Sequence, residues 1–504
     1  DAGFKLDATV DAIYADIFSK YTESVHPWTG EITRNYIHSP NKAAGDYTDF
    51  KIYEVNPNRF VSEGFGSQGW ESKVDAEVGI VTFSRPGGEG TTYKPGSALD
   101  VDGKPTGKNP LALSADELAV VKAAKATCKK VVVLLNTSCT IEVGPLTEGE
   151  YEVDGIAYVG IPNDYQFKGV VQALDGTVNP TGALADTYAT SSTSSPAMEN
   201  FGLGHYSDYK DVAKFNDSRW PGQTITNEAA GSFGGSATYN GGTYLNQLEG
   251  IYTGYNYYET RYYDAIANPS YNAKSEVGST NVGNWDYAKE VDYTFGHGLS
   301  YLDYSEELLS VKVEDRVSGN ITASVAITNK SDKDGKFRAE LFVQSPYTDY
   351  DRKNLVEKSA IQFLNSAKVD VEAGKTEVVE ISIPTKYMAS YDYTNAKTYI
   401  MDAGTYYFST GNGAHEALNN IMTAQNLTPD NKGDLKAVKT WINAGETDTT
   451  TYAVSEAGEK ITNVADNADL NYYAPGSSTH LTRSDWKGTW PVDFTKEENT
   501  VAIA

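Results

Sequence analysis

The hydrophobic period of this chain changes near Glu307, and that switch confines it to two architectures joined in series. Before it, short continuous apolar runs at 78–83, 131–135 and 155–159 are separated by loops and by helix-period segments. That is the pattern of a largely parallel sheet covered by helices. After it, apolar and polar residues alternate at 308–313, 321–328, 337–344, 377–383 and 405–409, as half-buried strands require. With Asp334-Gly335 and Glu372-Ala373-Gly374 as turns between them, this half predicts a β-sandwich of immunoglobulin-like size ending near Ile421. The expected fold is therefore multidomain: an α/β sandwich over 1–301, an all-β sandwich over 302–421, and a polar segment over 422–504. That last segment is too poor in apolar periodicity to build a core, so it is expected to wrap on a neighbour.

Within the first half the order is strand, helix, strand, strand, helix. Ser114, with Glu117 three residues on, forms a capping box, each side chain taking a backbone donor at the helix start. A helix should run from there to about Thr127 with Leu118, Val121 and Ala124 on one face, and a second spans 164–174. A Ser/Thr/Ala-rich stretch at 189–197 and a Gly/Asn/Tyr-rich tract at 224–246 read as ordered loops with little regular structure.

Charge and composition exclude several functions. With 42 Lys+Arg against 68 Asp+Glu the net charge is −26, a field that repels phosphate backbones and anionic bilayers. No nucleic-acid partner is expected, and no run reaches the roughly 18 apolar residues of a membrane span. The six histidines are scattered singly and neither cysteine joins a ligand cluster, so nothing points to a metal or to an organic cofactor. Cys128 and Cys139 flank an extended run, too far apart to be bridged, and are expected to be free. The abundance of Tyr, Thr, Asn and Gly suggests an extracellular or cell-surface protein.

Chemistry concentrates where the first strand stops, in Arg85-Pro86-Gly87-Gly88-Glu89-Gly90. Open α/β sheets bind ligands beyond the C-terminal ends of their strands, and glycines let a loop approach a ligand closely. A carboxylate there suits general acid–base work. The residues alone favour reading Glu89 as a solvated loop carboxylate, since any glycine turn can carry one.

Six stretches, in order, resemble glycoside hydrolase family 3, the β-glucosidase and β-xylosidase family. They are S-R-P-G-G-E-G (84–90), L-S-A-D-E-L-A-V-V-K-A (113–123), V-V-V-L-L-N-T (131–137), N-P-T-G-A-L-A-D-T (179–187), E-G-I-Y-T-G-Y-N-Y-Y-E-T (249–260) and Y-T-F-G-H-G-L-S-Y (293–301). The later sandwich is similar to the family's fibronectin type III-like domain, through 375–383 and D-A-G-T-Y-Y (402–407). The tail, to Y-Y-A-P-G-S-S-T-H-L-T-R-S-D-W-K-G-T-W-P (472–491), resembles a permuted subgroup in which the catalytic (β/α)8 barrel follows.

The resemblance implies a retaining β-glycosidase acting on terminal β-linked glucose or xylose of oligosaccharides. Its Asp nucleophile would lie on a barrel in the same protein or a separate chain, and the fragment alone would be inactive. Glu89 matches the family's acid/base, with Arg85, Gly88 and Gly90 as its substrate loop. Gly87 stands where the family usually has Ser, and the family's first sandwich strand has no counterpart before Asp1. A chain trimmed at both ends is thus expected. The alternative is a non-catalytic carbohydrate-binding or surface-structural relative.

Four further features carry two readings each. Asp485, in Ser-Asp-Trp, mimics the family's nucleophile motif but follows no barrel, so a turn or cap is favoured. The tyrosines at 252, 255, 257, 258, 262 and 263 could stack on sugars, yet suit packing better. The glycine-rich stretch 64–69 lacks the Lys-Ser/Thr of a phosphate loop. His297, between two glycines, reads as a satisfied turn residue.

Overall fold

The computed structural model describes residues 4–19, 22–25, 32–35, 55–85, 93, 95–100, 104–200, 223–226, 236–239, 247–316, 318–473, 475–476 and 479–491. The chain divides into one unit of Asp1–Val178 with Tyr188–Ser192, and a second of Asn179–Thr187 with Thr193–Ala504.

The first unit begins with α1 (Ala8–Ser19), whose start is held by Asp7 Oδ1 accepting from the amides of Thr9 and Val10 at 2.9 and 3.0 Å. Ile13 and Ile17 on its inner face pack with Val55, Phe60, Phe65 and Trp70. The glycine-rich stretch 64–69 is a loop beside this core, with Gly64 and Gly66 at φ 81° and 121°. Strand β1 (Ala76–Arg85) then runs parallel to β2 (Cys128–Thr137), which runs parallel to β3 (Gly155–Tyr158). Between β1 and β2 lies α2 (Ala115–Thr127), and α3 (Asp164–Leu174) follows β3.

Ser114 Oγ accepts from the Glu117 amide and Glu117 Oε2 accepts from the Ser114 amide, so the capping box forms. The buried face of α2 carries Asp116, Glu117, Val120 and Val121, while Leu118 and Ala124 are only half-buried. Strand β1 departs from the expectation of a run buried throughout. Val81, Phe83 and Arg85 point inward, whereas Val78 and Ile80 are 47% and 46% exposed. It is the terminal strand of the three, so alternation rather than full burial governs it.

In the second unit, α4 (Tyr255–Ala267) precedes seven strands in two antiparallel sheets. Strands β4 (Tyr304–Val313), β5 (Asn320–Asn329) and β8 (Thr376–Pro384) form one, in the order β4-β5-β8. The other contains β6 (Gly335–Gln344), β7 (Gln362–Val371), β9 (Gly404–Thr410) and β10 (Val438–Asn443), in the order β7-β6-β9-β10. Their inner faces share one core. Ile321, Ala323, Val325 and Ile327 come from β5, Phe337, Ala339, Leu341 and Val343 from β6, and Tyr406 and Phe408 from β9. Helix α5 (Asp349–Asn354) links β6 to β7, and α6 (Ala414–Ala424) packs on β6 and β9.

Two boundaries differ from those read in the sequence. Strand β10 pairs with β9, setting Tyr406 opposite Trp441, so the sandwich extends past Ile421; the short run Val438–Asn443 was masked by its polar flanks. The compact units part at Val178 rather than Tyr301. Asn179 explains this: its Nδ2 donates to Ser300 Oγ and Lys336 O, and its Oδ1 accepts from the Tyr301 amide. At the start of the tract 224–246, Gln223–Thr226 pairs antiparallel with Ser236–Tyr239; the β-branched Thr224-Ile225-Thr226 suits a strand.

Candidate active site

The C-terminal end of β1 is set by one side chain. Arg85 stands opposite Thr137 of β2, and alternation turns its guanidinium inward rather than toward solvent. There Nε donates to Pro110 O at 2.7 Å, Nη1 to Ser84 O at 2.8 Å, and Nη2 to Ala112 O at 3.0 Å. Nη1 and Nη2 also meet Glu117 Oε1 and Oε2 at 2.6 and 3.1 Å, a two-pronged ion pair of the kind a planar guanidinium makes best. Arg85 thus ties the end of β1 to Pro110, Ala112 and the start of α2. Pro86, Gly87, Gly88, Glu89 and Gly90 lie outside the described residues.

Neighbouring loops at the same sheet edge are also tied down. Asn136 Nδ2 donates to Gly160 O at 2.6 Å, Thr137 Oγ1 to Cys139 O at 2.9 Å, and the Glu142 amide to Leu111 O at 2.8 Å. Cys128 and Cys139 are both free thiols.

The remaining features resolve on the structural side. Tyr252, Tyr257, Tyr258 and Tyr262 are buried, so their ring faces are not available to a sugar. Their hydroxyls bond Glu357, Arg261, Ser194 and the pair Asn419 and Asp430, respectively. Asp485 Oδ1 accepts from Asn272 Nδ2 at 3.2 Å and from the Gly488 amide at 3.0 Å, holding a turn. His297 stacks on Tyr293 at 5.2 Å, and burial followed by the nearby Arg338 charge lowers its pKa.

Two buried charge clusters in the second unit, and a third that reaches solvent at Asp430, escaped the sequence reading. Arg483 Nη2 and Nε meet Asp264 Oδ1 and Oδ2 at 2.6 and 3.1 Å, while Trp486 Nε1 donates to Asp264 Oδ2 at 3.0 Å. Lys358 bridges Asp351 and Asp402. His415 lies between Glu259 and Asp430, with Nδ1 2.8 Å from Glu259 Oε2 and Nε2 3.2 Å from Asp430 Oδ2. Burial opposes charge on His415, but the two carboxylates prevail and raise its pKa to about 10. One signal was present: Glu259 and Arg261 sit among tyrosines over 255–263, with Asp264 next after them, and charges on a buried aromatic helix need partners. Their arrangement resembles structural ion pairing, since each charge already meets an internal partner.

Comparison with known proteins assigns the family. The profile described as Glycosyl hydrolase family 3 C-terminal domain matches residues 18–301. The chain is 22% identical over 374 residues to the "Exo-alpha-(1->6)-L-arabinopyranosidase" of Bifidobacterium longum, covering 73% of this chain and 39% of that one. It is 24% identical over 397 residues to the "Beta-glucosidase" of Ruminococcus albus, covering 75% and 32%. It is 24% identical over 440 residues to "Beta-glucosidase A" of Butyrivibrio fibrisolvens, covering 77% and 44%. Among solved structures, β-glucosidase 3B from Thermotoga neapolitana is similar at 22% identity and a TM-score of 0.46, covering 74% of this chain and 38% of that one. The chain spans less than half the length of each of these relatives. With more than half of its residues inside the family profile, the chain belongs to glycosyl hydrolase family 3.

Proposed function

We propose that this chain supplies the general acid/base half of a retaining β-glycosidase, with Glu89 as the residue that protonates the leaving oxygen and then activates water. The observation that carries this is the family match over 18–301, which encloses the 84–90 loop. The anchored end of β1 adds support, since Glu89 follows Arg85 by four residues. A retaining mechanism needs a second carboxyl group about 5–5.5 Å from the first, acting as nucleophile. We assign that group to a (β/α)8 barrel in the same protein or a partner chain. The two-sheet unit around β4–β10 is then fibronectin type III-like, and the protein acts outside the cell or on its surface. Terminal β-linked glucose or xylose of an oligosaccharide is the proposed glycone. The test panel also includes an α-L-arabinopyranoside, because one relative carries that activity in its name.

The test is Glu89→Gln in the full gene product. An activated aryl glycoside, which needs no proton to depart, should still form the glycosyl-enzyme, while disaccharide hydrolysis falls by about 10²–10⁴-fold. Equal loss on both substrates counts against the acid/base role. Turnover of an aryl β-glucoside by residues 1–504 alone would sink the assignment of the nucleophile to another domain.

A further inference from the structure

The loop bearing Glu89 leaves the sheet at Arg85, and the chain returns at Pro110 to begin α2 at Ala115. One guanidinium holds both stems. Arg85 bonds Ser84 O on the outgoing side, Pro110 O and Ala112 O on the returning side, and Glu117 in the first turn of the helix. Glu117 Oε2 in turn accepts from the Ser114 amide at 2.8 Å, which fixes the helix start to the same cluster. The two side chains are 0% and 2% exposed. A buried ion pair gains little stability over apolar residues of the same volume, so what this one supplies is a fixed geometry between the loop's two ends.

We propose that Arg85 and Glu117 are the positioning pair of the acid/base loop, and that they set where the carboxyl four residues past Arg85 meets the leaving oxygen. The proposal rests on the reading of Glu89 as acid/base. A general acid works only within hydrogen-bond reach of the oxygen it protonates, and a displacement of about 1 Å costs on the order of 10²-fold. What the pair fixes is the two stems that bound this stretch, Ser84 on one side and Pro110 and Ala112 on the other.

The test compares Glu117→Gln and Arg85→Lys in the full gene product, alongside Glu89→Gln. Gln keeps the shape of Glu117 without its charge, and Lys keeps the charge of Arg85 without its fork. The readout is the ratio of kcat/KM on an alkyl β-glucoside to that on a dinitrophenyl β-glucoside. Because this is a ratio, any unfolded fraction cancels. Weakened positioning should lower it about 10–100-fold in at least one of the two variants, with the dinitrophenyl substrate little affected. An unchanged ratio in both variants, with Glu89→Gln lowering it, overturns the positioning role alone. An unchanged ratio in Glu89→Gln overturns the acid/base reading and the positioning role with it.

Discussion

Arg85 in the first unit and Arg483 in the second each set a guanidinium against a carboxylate with both partners shielded from water. Side-chain exposures are 0% and 2% for one pair, 3% and 0% for the other. The carboxylates differ in their place on a helix. Glu117 lies in the first turn of α2, where the helix dipole favours negative charge and the Ser114 amide already donates to it. Asp264 lies in the last turn of α4, where the dipole opposes it, and it relies on Arg483 for its compensating charge. They differ in reach as well. Arg85 and Glu117 are 32 residues apart, while Asp264 and Arg483 are 219 apart. The first pair closes one loop; the second pins the tail to a helix.

The largest expected effect tests the dipole half of this contrast. Arg483→Met leaves Asp264, at a helix C-terminus, with only the neutral donors Trp486 Nε1 and Asn268 Nδ2, and also removes the Nη1 bond to Lys358 O. Breaking a buried pair costs about 3–5 kcal/mol, and this substitution should fall at the top of that range. Arg85→Met also frees Ser84 O, Pro110 O and Ala112 O, yet should fall at the bottom, near about 3 kcal/mol, because the dipole at the start of α2 favours the Glu117 charge whereas that at the end of α4 opposes the charge of Asp264. Denaturant unfolding followed by hydrogen exchange on β2 and β5 separates the two units. Equal losses, or a larger loss for Arg85→Met, would break the comparison. Adding Asp264→Asn to Arg483→Met should recover part of the loss by removing the stranded charge.

The same contrast governs what the sequence discloses. Helix α2 was legible because Ser114 and Glu117 announce its start, and the strands because apolar runs at 78–83 and 131–135 outlast loop composition. The alternation at 321–328 likewise foretold the strict burial of β5. Glu117 was read only as a cap; that it also holds Arg85 depends on β1 and α2 meeting in space, which no local pattern encodes. Arg483 and Asp264 lie farther apart still, and Ser-Asp-Trp drew attention to Asp485 while the buried partners were Arg483 and Trp486. Strand β10 was missed for a related reason, since six residues between polar segments carry too little periodicity to stand out. Glu89 was reached through resemblance and residue type, and its local chemistry is tested by substitution.

A third cluster, open to solvent at Asp430, sharpens the comparison because it titrates. Arginine keeps its charge at any accessible pH, but the charge on His415 is conditional. Glu259 and Asp430 hold its folded pKa near 10 against burial, and the unfolded value is near 6.5. The folded state therefore keeps a proton that the unfolded chain sheds above about pH 6.5. Stability from this site is complete below that pH, declines by at most about 1.4 kcal/mol per unit, and is gone above about 10. Burial pushes Tyr262 and Tyr287 upward, so these neighbours stay neutral across the window. The difference in unfolding free energy between the unmodified chain and His415→Gln should shrink steadily from pH 7 to 10. A constant difference across that range would rule out a charged His415.

The smallest expected effect asks whether the Arg85 cluster behaves as one object. Ser114→Ala removes the hydroxyl that accepts from the Glu117 amide at 3.1 Å, and loss of such a cap costs about 1 kcal/mol. The bond from the Ser114 amide to Glu117 Oε2 is made by backbone and survives the substitution. If cap and ion pair act independently, the costs of Ser114→Ala and Arg85→Met add to within about 0.3–0.5 kcal/mol. We expect them not to. Without Arg85, Glu117 depends on the helix start for its remaining compensation, so fraying that start should cost more in the Arg85→Met background than alone. A coupling of about 0.5–1 kcal/mol in the double-mutant cycle is the predicted result. Strict additivity would mean that the helix start and the loop stems are held separately, and that Arg85 clamps the loop without help from the cap.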